Sequence, residues 1–332
     1  MSKFLLRHAT AEDRQAIRDF LNTYWGSDHP LVNREDLFHY YYQNESDPSR
    51  IQFCLALDEK GIAALCGYIL SSLQSKPDVW VSIWCARKDA KGAGLELMGK
   101  MPELTGCRTL SCNNIRENTM AFYTFLGYTA LRLPHYYRLG KKERFQVARV
   151  PAPIEMPPAG GEAQLFPIRT MDELKNVYKP TDDTRPFKDL WYLHRRYLAY
   201  PVQQYDLLGA GKSASEATAL LACRTVEVDG VKILRIVDYI GEPAYFPQLG
   251  GAIAQYMSDL DAEYADMYCY GIPADVMKAA GFCERLRNDP VIIPKYLNPP
   301  LYENTEYFFF TSDPENFMMC KADGDQDRPN MG

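Results

Sequence analysis

The chain has 332 residues, 46% of them hydrophobic and 24% charged, with a formal net charge of -6. At roughly 100 to 200 residues per domain this predicts two packed domains and excludes a mainly disordered chain. The acidic balance argues against a nucleic-acid partner, whose phosphates need a basic surface.

Residues 4–8 read as a strand, and Thr10, with acids at positions 12 and 13, opens a helix carrying Ala16, Ile17, Phe20 and Leu21 at helical spacing. Gly26 to Pro30 breaks that pattern, and residues 35–43 are a second helix. Strands follow over 51–57, 62–71 and 79–85, the first two joined by a turn ending in Gly61. Residues 95–101 are a helix, 109–113 a strand, 118–126 a helix and 129–139 a final strand. This order describes an α/β domain in which hairpins feed one mixed, mostly antiparallel sheet flanked by helices. Four prolines and two glycines within 151–161 mark a linker. The expected division is a first domain over 1–150, a linker over 151–162 and a second domain over 163–332.

The second domain repeats the first weakly but in order. The run from Leu165 to Glu173 matches the strand and capped helix at the start of the chain, Cys269-Tyr-Gly-Ile272 matches Cys112-Asn-Asn-Ile115, and Ala280-Gly281-Phe282 matches Leu126-Gly127-Tyr128. Offsets of 162 (169 minus 7), 157 (269 minus 112) and 154 (281 minus 127) drift as loop lengths do, which predicts a tandem duplication of one fold.

Nine cysteines are scattered singly, with no CxxC spacing, so neither a disulfide framework nor a metal site is expected. No apolar run reaches the ~20 residues of a membrane span, and the first residues lack the apolar core and cleavage site of a secretory signal. A cytoplasmic chain with no membrane partner is expected.

The candidate chemistry lies where the strand ending at Trp84 and Cys85 runs through Lys91-Gly92-Ala93-Gly94 into a helix. A Gly-x-Gly turn before a helix leaves backbone N–H groups unpaired at the positive end of the helix dipole, a cradle for pyrophosphate. Glycines suit it because a Cβ would hold the phosphates off. Downstream, Asn118-x-x-Ala121-Phe122-Tyr123-x-x-Leu126-Gly127-Tyr128 follows a strand. This pairing resembles the GNAT superfamily of N-acetyltransferases, whose motif reads roughly Asn-x-x-Ala-x-x-Phe/Leu-Tyr-x-x-Leu-Gly-Phe/Tyr. Two residues are missing between the halves of the motif here. Asp89 also stands where the family usually has Arg or Gln, so the cradle rests on backbone amides.

The resemblance implies two tandem GNAT-like domains and transfer of an acyl group from a coenzyme A thioester to an amine. Acyl-CoA is the implied co-substrate, and no metal is implied. The backbone at Trp84 and Cys85 would face the pantetheine, with Asn118 a further contact. Amides near Lys91, Gly92, Ala93 and Gly94 would hold the pyrophosphate. Tyr123 stands in the place of the residue that protonates the departing thiolate, a step open to a phenol of pKa near 10 facing a thiolate of ~8.5. The second domain lacks a Gly-x-Gly turn, so one acyl-CoA site per chain is expected.

No carboxylate lies within 80–84. Asp28 and His29, in the loop where the family places its acceptor, are the proton-accepting candidates. In the second domain Arg195, Arg196 and Tyr197 crowd cations and an aromatic together, a set that could stack a base and pair a phosphate, although an amphipathic helix with Leu190, Leu193 and Tyr197 inward and the arginines outward accounts for them better in residue type. The whole chain is similar to tandem GNAT proteins of bacterial surface-polysaccharide pathways. This implies an amino-sugar nucleotide as acceptor and an acetyl or 3-hydroxybutyryl group as cargo. A small amine or amino acid as acceptor, a non-catalytic acyl-CoA sensor, and a homodimer stay open. The acidic run from Asp323 reads as a solvated tail.

Overall fold

A computed structural model describes residues 3–26, 29–45, 47–181 and 185–328. The first half opens with β1 (Leu5–Thr10), α1 (Arg14–Tyr24), α2 (Pro30–Asn33) and α3 (Glu35–Tyr42). The Thr10 N–H donates to the Asp13 carboxylate at 2.7 Å, so the expected cap is present one short turn ahead of α1. β2 (Arg50–Asp58) and β3 (Gly61–Leu70) form a hairpin whose turn ends in Gly61 at φ +101°, a conformation glycine adopts freely. β4 (Val79–Ala86), α4 (Ala93–Thr105), β5 (Leu110–Ile115), α5 (Met120–Phe125) and β6 (Thr129–Leu133) follow.

Beyond β6 come β7 (His135–Leu139), β8 (Gln164–Ile168), α6 (Met171–Val177) and α7 (Leu190–Leu193), which continues as one wider π-type turn, His194–Leu198. Then come β9 (Asp206–Gly211), β10 (Ala217–Val228), β11 (Val231–Ile240), α8 (Gly250–Asp259), β12 (Tyr264–Tyr270) and α9 (Ala274–Ala279). The chain finishes with β13 (Cys283–Arg285), β14 (Tyr307–Thr311) and β15 (Met319–Cys320).

The strands make two mixed sheets of the same plan, ordered β1-β2-β3-β4-β5-β14-β6 and β13-β7-β12-β11-β10-β9-β8. Each is antiparallel except at one central parallel pair, β4 with β5 and β11 with β12. The tandem α/β expectation therefore holds at the level of architecture.

The chain crosses between the sheets twice. The single strand expected over 129–139 is two strands in different sheets, because Pro134 has no N–H to continue a ladder; the Pro134 carbonyl instead accepts the Cys269 N–H of the second sheet at 3.0 Å. β7 consequently lies between β12 and β13, while β14, from the far end of the chain, lies between β5 and β6. The sheets do not separate at the linker, and one hydrophobic cluster joins Trp80 and Phe309 of the first to Tyr268 and Val237 of the second.

The acidic terminal run is not solvated. Asp323, Asp325 and Asp327 are buried, the first with no exposed surface, because the segment packs between the two sheets and each acid meets a cation there. Lys188 faces Asp323 at 2.6 Å, Arg328 faces Asp325 at 2.6 Å, and Arg224 grips Asp327 through two nitrogens at 2.8 and 2.9 Å. All nine cysteines are unpaired thiols. Among the described residues no helix is long and apolar enough to cross a membrane, and no three His, Cys, Asp or Glu side chains are grouped around a possible metal ion.

Candidate active site

β4 and β5 are in register as parallel neighbours at Val79 with Leu110 and Trp80 with Ser111, and then part. On its other side β4 stays paired to β3 as far as Ala86. Beyond Trp80 the edge of β4 that faces β5 thus lacks its β5 partner; it includes Trp84, whereas Cys85, two residues before Arg87, whose N–H donates to Ala63 O at 2.9 Å, turns its backbone toward β3.

α4 begins at the mouth of this opening. The N–H groups of Lys91, Gly92, Gly94 and Leu95 make no hydrogen bond among the described residues, whereas that of Ala93 donates to the Ala90 carbonyl at 3.1 Å. The N–H groups without a hydrogen bond at the start of α4 are thus those of 91, 92, 94 and 95, whereas that of Ala93, also a candidate, is engaged. The reason for the glycines also differs from the expected one. Gly92 has φ +90° and open space around it, so its need is conformational. A Cβ on Gly94 would come within 3.2 Å of the Trp84 ring; its need is the indole. Asp89 is paired with both Lys60 (3.0 Å) and Arg87 (3.1 Å), which reduces its repulsion of an anion in the turn.

The Trp84 indole also stacks on Phe122, with ring centroids 5.0 Å apart. It therefore bridges α4 and α5, and its Nε1 is buried without a partner. Tyr123 stacks on Phe310 of the exchanged strand β14 at 4.2 Å and shares a cluster with Cys66, Val81 and Cys112 of β3, β4 and β5. Its hydroxyl has no hydrogen-bond partner among the described residues, and burial holds its pKa well above the ordinary phenol value, so it stays protonated and able to donate. Asn118 is exposed on the turn leading into α5.

The acceptor candidates fare differently. Asp28 lies outside the described residues. His29 caps α2, its Nδ1 accepting the Leu31 N–H at 3.3 Å, and burial together with Arg328 lowers its pKa despite Asp325. The Nδ1 lone pair is thus engaged at the start of α2. Arg196 is also committed inside the protein. Its three nitrogens donate to Ala322 O (3.3 Å), the Tyr205 hydroxyl (3.0 Å) and Gln326 O (2.6 Å), and its face lies over Tyr200. The Tyr197 hydroxyl donates to Asp238 at 2.5 Å. Both residues are buried and engaged inside the protein, Arg196 with the C-terminal segment and Tyr197 with Asp238 of β11. Arg195 differs: stacked on Tyr40 (4.2 Å) and Trp191 (5.1 Å) and paired with Glu45 at 3.3 Å, it borders an open cleft of about 540 Å³ that also carries Glu35 and Asp36.

The second unit has the matching splay but not the cradle. β11 and β12 part after Ile236 and Met267. The start of α8 is taken up by the linker, the Gly251 N–H donating to Gly160 O at 2.6 Å. A cleft of about 740 Å³ at that end is lined by four prolines together with Glu242, Tyr270, Ile272, Asn316, Phe317 and Met318, with no cation among the described residues lining it to meet a phosphate.

No protein-family model matches the chain, and no curated protein matches it in sequence. Solved structures do match in shape. A GCN5-related N-acetyltransferase from Anabaena variabilis ATCC 29413 superposes with a TM-score of 0.55 at 12% identity, over 93% of this chain and 72% of that one. A conserved protein of unknown function from Enterococcus faecalis V583, described as a probable N-acyltransferase, gives 0.55 at 11% identity, over 95% and 74%. The fold is thus of the GNAT type along nearly the whole chain. Within it, the chain is a tandem of two such units that exchange a strand.

Proposed function

We propose that the protein is an N-acyltransferase that takes its acyl group from a coenzyme A thioester held in the first unit and passes it to an amine. The observation that carries this reading is the set of four unpaired N–H groups at 91, 92, 94 and 95, placed where β4 and β5 part. Such a set suits a pyrophosphate, and the parted strand edge suits the amides of the pantetheine arm. The phenol of Tyr123 favours catalysis over sensing, since a binder gains nothing from an acid near the sulfur.

The acceptor is a nucleotide-linked amino sugar and the cargo an acetyl or 3-hydroxybutyryl group. Arg195, stacked on two aromatic rings at an open cleft, is the cation that would meet the nucleotide, in exchange for its ion pair with Glu45. Thiol release from acetyl-CoA and 3-hydroxybutyryl-CoA, measured against amino-sugar nucleotides, free amino acids and small amines, tests both levels. The expected result is the highest kcat/KM with an amino-sugar nucleotide. Faster turnover of free amines would replace that acceptor, and no thiol release with any of them would replace the acyl-transfer reading.

A further inference from the structure

The C-terminal segment lies across the point where β4 and β5 part. Asn113 of β5 donates from Nδ2 to the carbonyls of Cys320 (3.0 Å), Lys321 (3.3 Å) and Asp323 (3.4 Å). Gly324, at φ +70°, rests against Trp80, where a Cβ would stand 3.2 Å from that of the tryptophan. Trp80 is the last β4 residue in register with β5. The segment therefore delivers Asp323 to the apex of the opening, on the face opposite α4 and α5.

Asp323 is fully buried and shares one cation with a second carboxylate. Lys188 Nζ lies 2.6 Å from Asp323 Oδ1 and 2.7 Å from each oxygen of Asp238. Two carboxylates on one ammonium leave a net negative charge that burial makes costly. The Asp323 Oδ2 accepts the Cys320 N–H at 2.8 Å, whereas its Oδ1 contact with Lys188 falls short of hydrogen-bond geometry. Three further polar atoms around the segment are buried and unpartnered: Trp80 Nε1, Asn113 Oδ1 and the Tyr192 hydroxyl, the rings of Trp80 and Tyr192 being 5.3 Å apart. Donors and acceptors so grouped are the partners an internal water requires.

Resting on the acyl-transfer reading, we infer that Asp323, carried into the first unit by the C-terminal segment, accepts the proton of the attacking amine through a water held by Trp80, Asn113 and Tyr192. The amine lone pair attacks the thioester carbonyl, the C–N bond forms and the C–S bond breaks. The thiolate takes its proton from Tyr123, and the nitrogen gives up one proton to the water and so to Asp323. Exchange through water then returns a proton from Asp323 to Tyr123, leaving an amide and free thiol. This supplies the carboxylate that β4 itself lacks.

The charge environment is suited to the task. Burial, reinforced by Asp238, pushes the Asp323 carboxyl up to about 6 against the opposing pull of Lys188 and the Cys320 N–H. A base with a pKa near the working pH is the effective kind. Lys188, Asp238, Tyr192, Tyr197, Arg196 and Cys320 are the titratable and charged groups packed around it.

The test uses the full chain and the best acceptor of the panel above. Asp323→Asn is expected to lower kcat by about 10² to 10⁴, with the Kd for acetyl-CoA within about threefold of wild type, and Asp323→Glu to recover most of the loss. The wild-type kcat/KM profile is expected to rise through about pH 6. Asp238→Asn, which keeps Asp323 and Lys188, is expected to move that rise down by about one pH unit, because it removes a like charge. This variant decides the matter should Asp323→Asn fail to fold, as judged by its melting curve. Wild-type kcat in a folded Asp323→Asn, or a rise unmoved by Asp238→Asn, overturns the inference while leaving acyl transfer intact. A wild-type chain that neither binds nor cleaves any thioester fails the acyl-transfer reading first and takes this inference with it.

Discussion

Gly127 and Gly281, 154 residues apart, hold the same left-handed backbone at φ +88° and +89°. Each ends a short helix in the same way: the Tyr128 N–H donates to Tyr123 O and the Phe282 N–H to Met277 O, both at 3.0 Å. The equivalence places Met277 where the first unit has Tyr123. A thioether cannot donate a proton, and the α8 start in the same unit is occupied by Gly160. Calorimetric titration of the intact chain with acetyl-CoA is therefore expected to give one site per chain; two would overturn the assignment of the cradle to α4 alone.

Tyr123→Phe removes a hydroxyl that has no hydrogen-bond partner among the described residues. The melting temperature is expected to shift by no more than a degree or two, while kcat falls by about 10² to 10⁴ with little change in KM for the thioester. Unchanged kcat with chemistry rate-limiting would assign Tyr123 to packing against Phe310.

His29→Asn keeps a side chain able to cap α2. Since His29 Nδ1 is committed to Leu31, the rising limb of the kcat/KM profile is expected to survive this change. Loss of the limb would return His29 to the role of base.

Asp327 links stability to acidity. Burial alone would raise its pKa, but Arg224 and Lys321 outweigh burial and bring it down to about 2. An unfolded aspartate titrates near 3.9, so the folded carboxyl is the stronger acid and its contribution is full above about pH 4. A difference of nearly two units corresponds to roughly 3 kcal/mol, lost as the pH falls from about 4 through 2. The stability gap between wild type and Asp327→Asn, from urea melts, is expected to close over that window. A gap independent of pH would mean that the carboxylate acts by shape rather than charge.

Trp84 is expected to report on ligand. Its indole bridges Gly94 and Phe122 with Nε1 unpartnered, so acetyl-CoA entering between α4 and α5 must disturb it. Tryptophan fluorescence is expected to change on titration in wild type and to lose most of that change in Trp84→Phe. An equal change in both would place the ligand elsewhere.

Much of this plan is legible in the amino-acid sequence because it depends on local signals. Alternation and turn residues give β2, β3 and β4, and the Gly92 turn marks the start of α4. The Leu-Gly-Tyr ending of α5 and its Ala-Gly-Phe counterpart expose the duplication. What escaped detection is non-local. Pro134 is the sole mark of the crossing between sheets, and its missing N–H shows that a strand stops without showing where the chain goes next. The run from Asp323 to Arg328 has the composition of a surface tail; its burial depends on Lys188, Arg196 and Arg224, distant cations whose partners no spacing rule reveals. Arg196 and Tyr197 have the residue types of a nucleotide site but are buried, Arg196 against that same segment and Tyr197 against Asp238, and the Trp84 indole that sets the need for Gly94 lies ten residues away on another element.

The crossing of β7 and β14 bears on how the protein is made. On the ribosome, β6 emerges long before β14, its neighbour in the first sheet, because 178 residues (311 minus 133) separate their ends. At about 5 to 20 residues per second the open place beside β5 persists for roughly 10 to 40 seconds. During that time β5 and β6 present unpaired edges of the kind that attract other strands. β7 meanwhile must wait for β12. The first sheet cannot close before β14 has emerged, nor the second before β12 and β13, so the two units fold together, and a nascent chain stalled after the linker is exposed to chaperones and proteases.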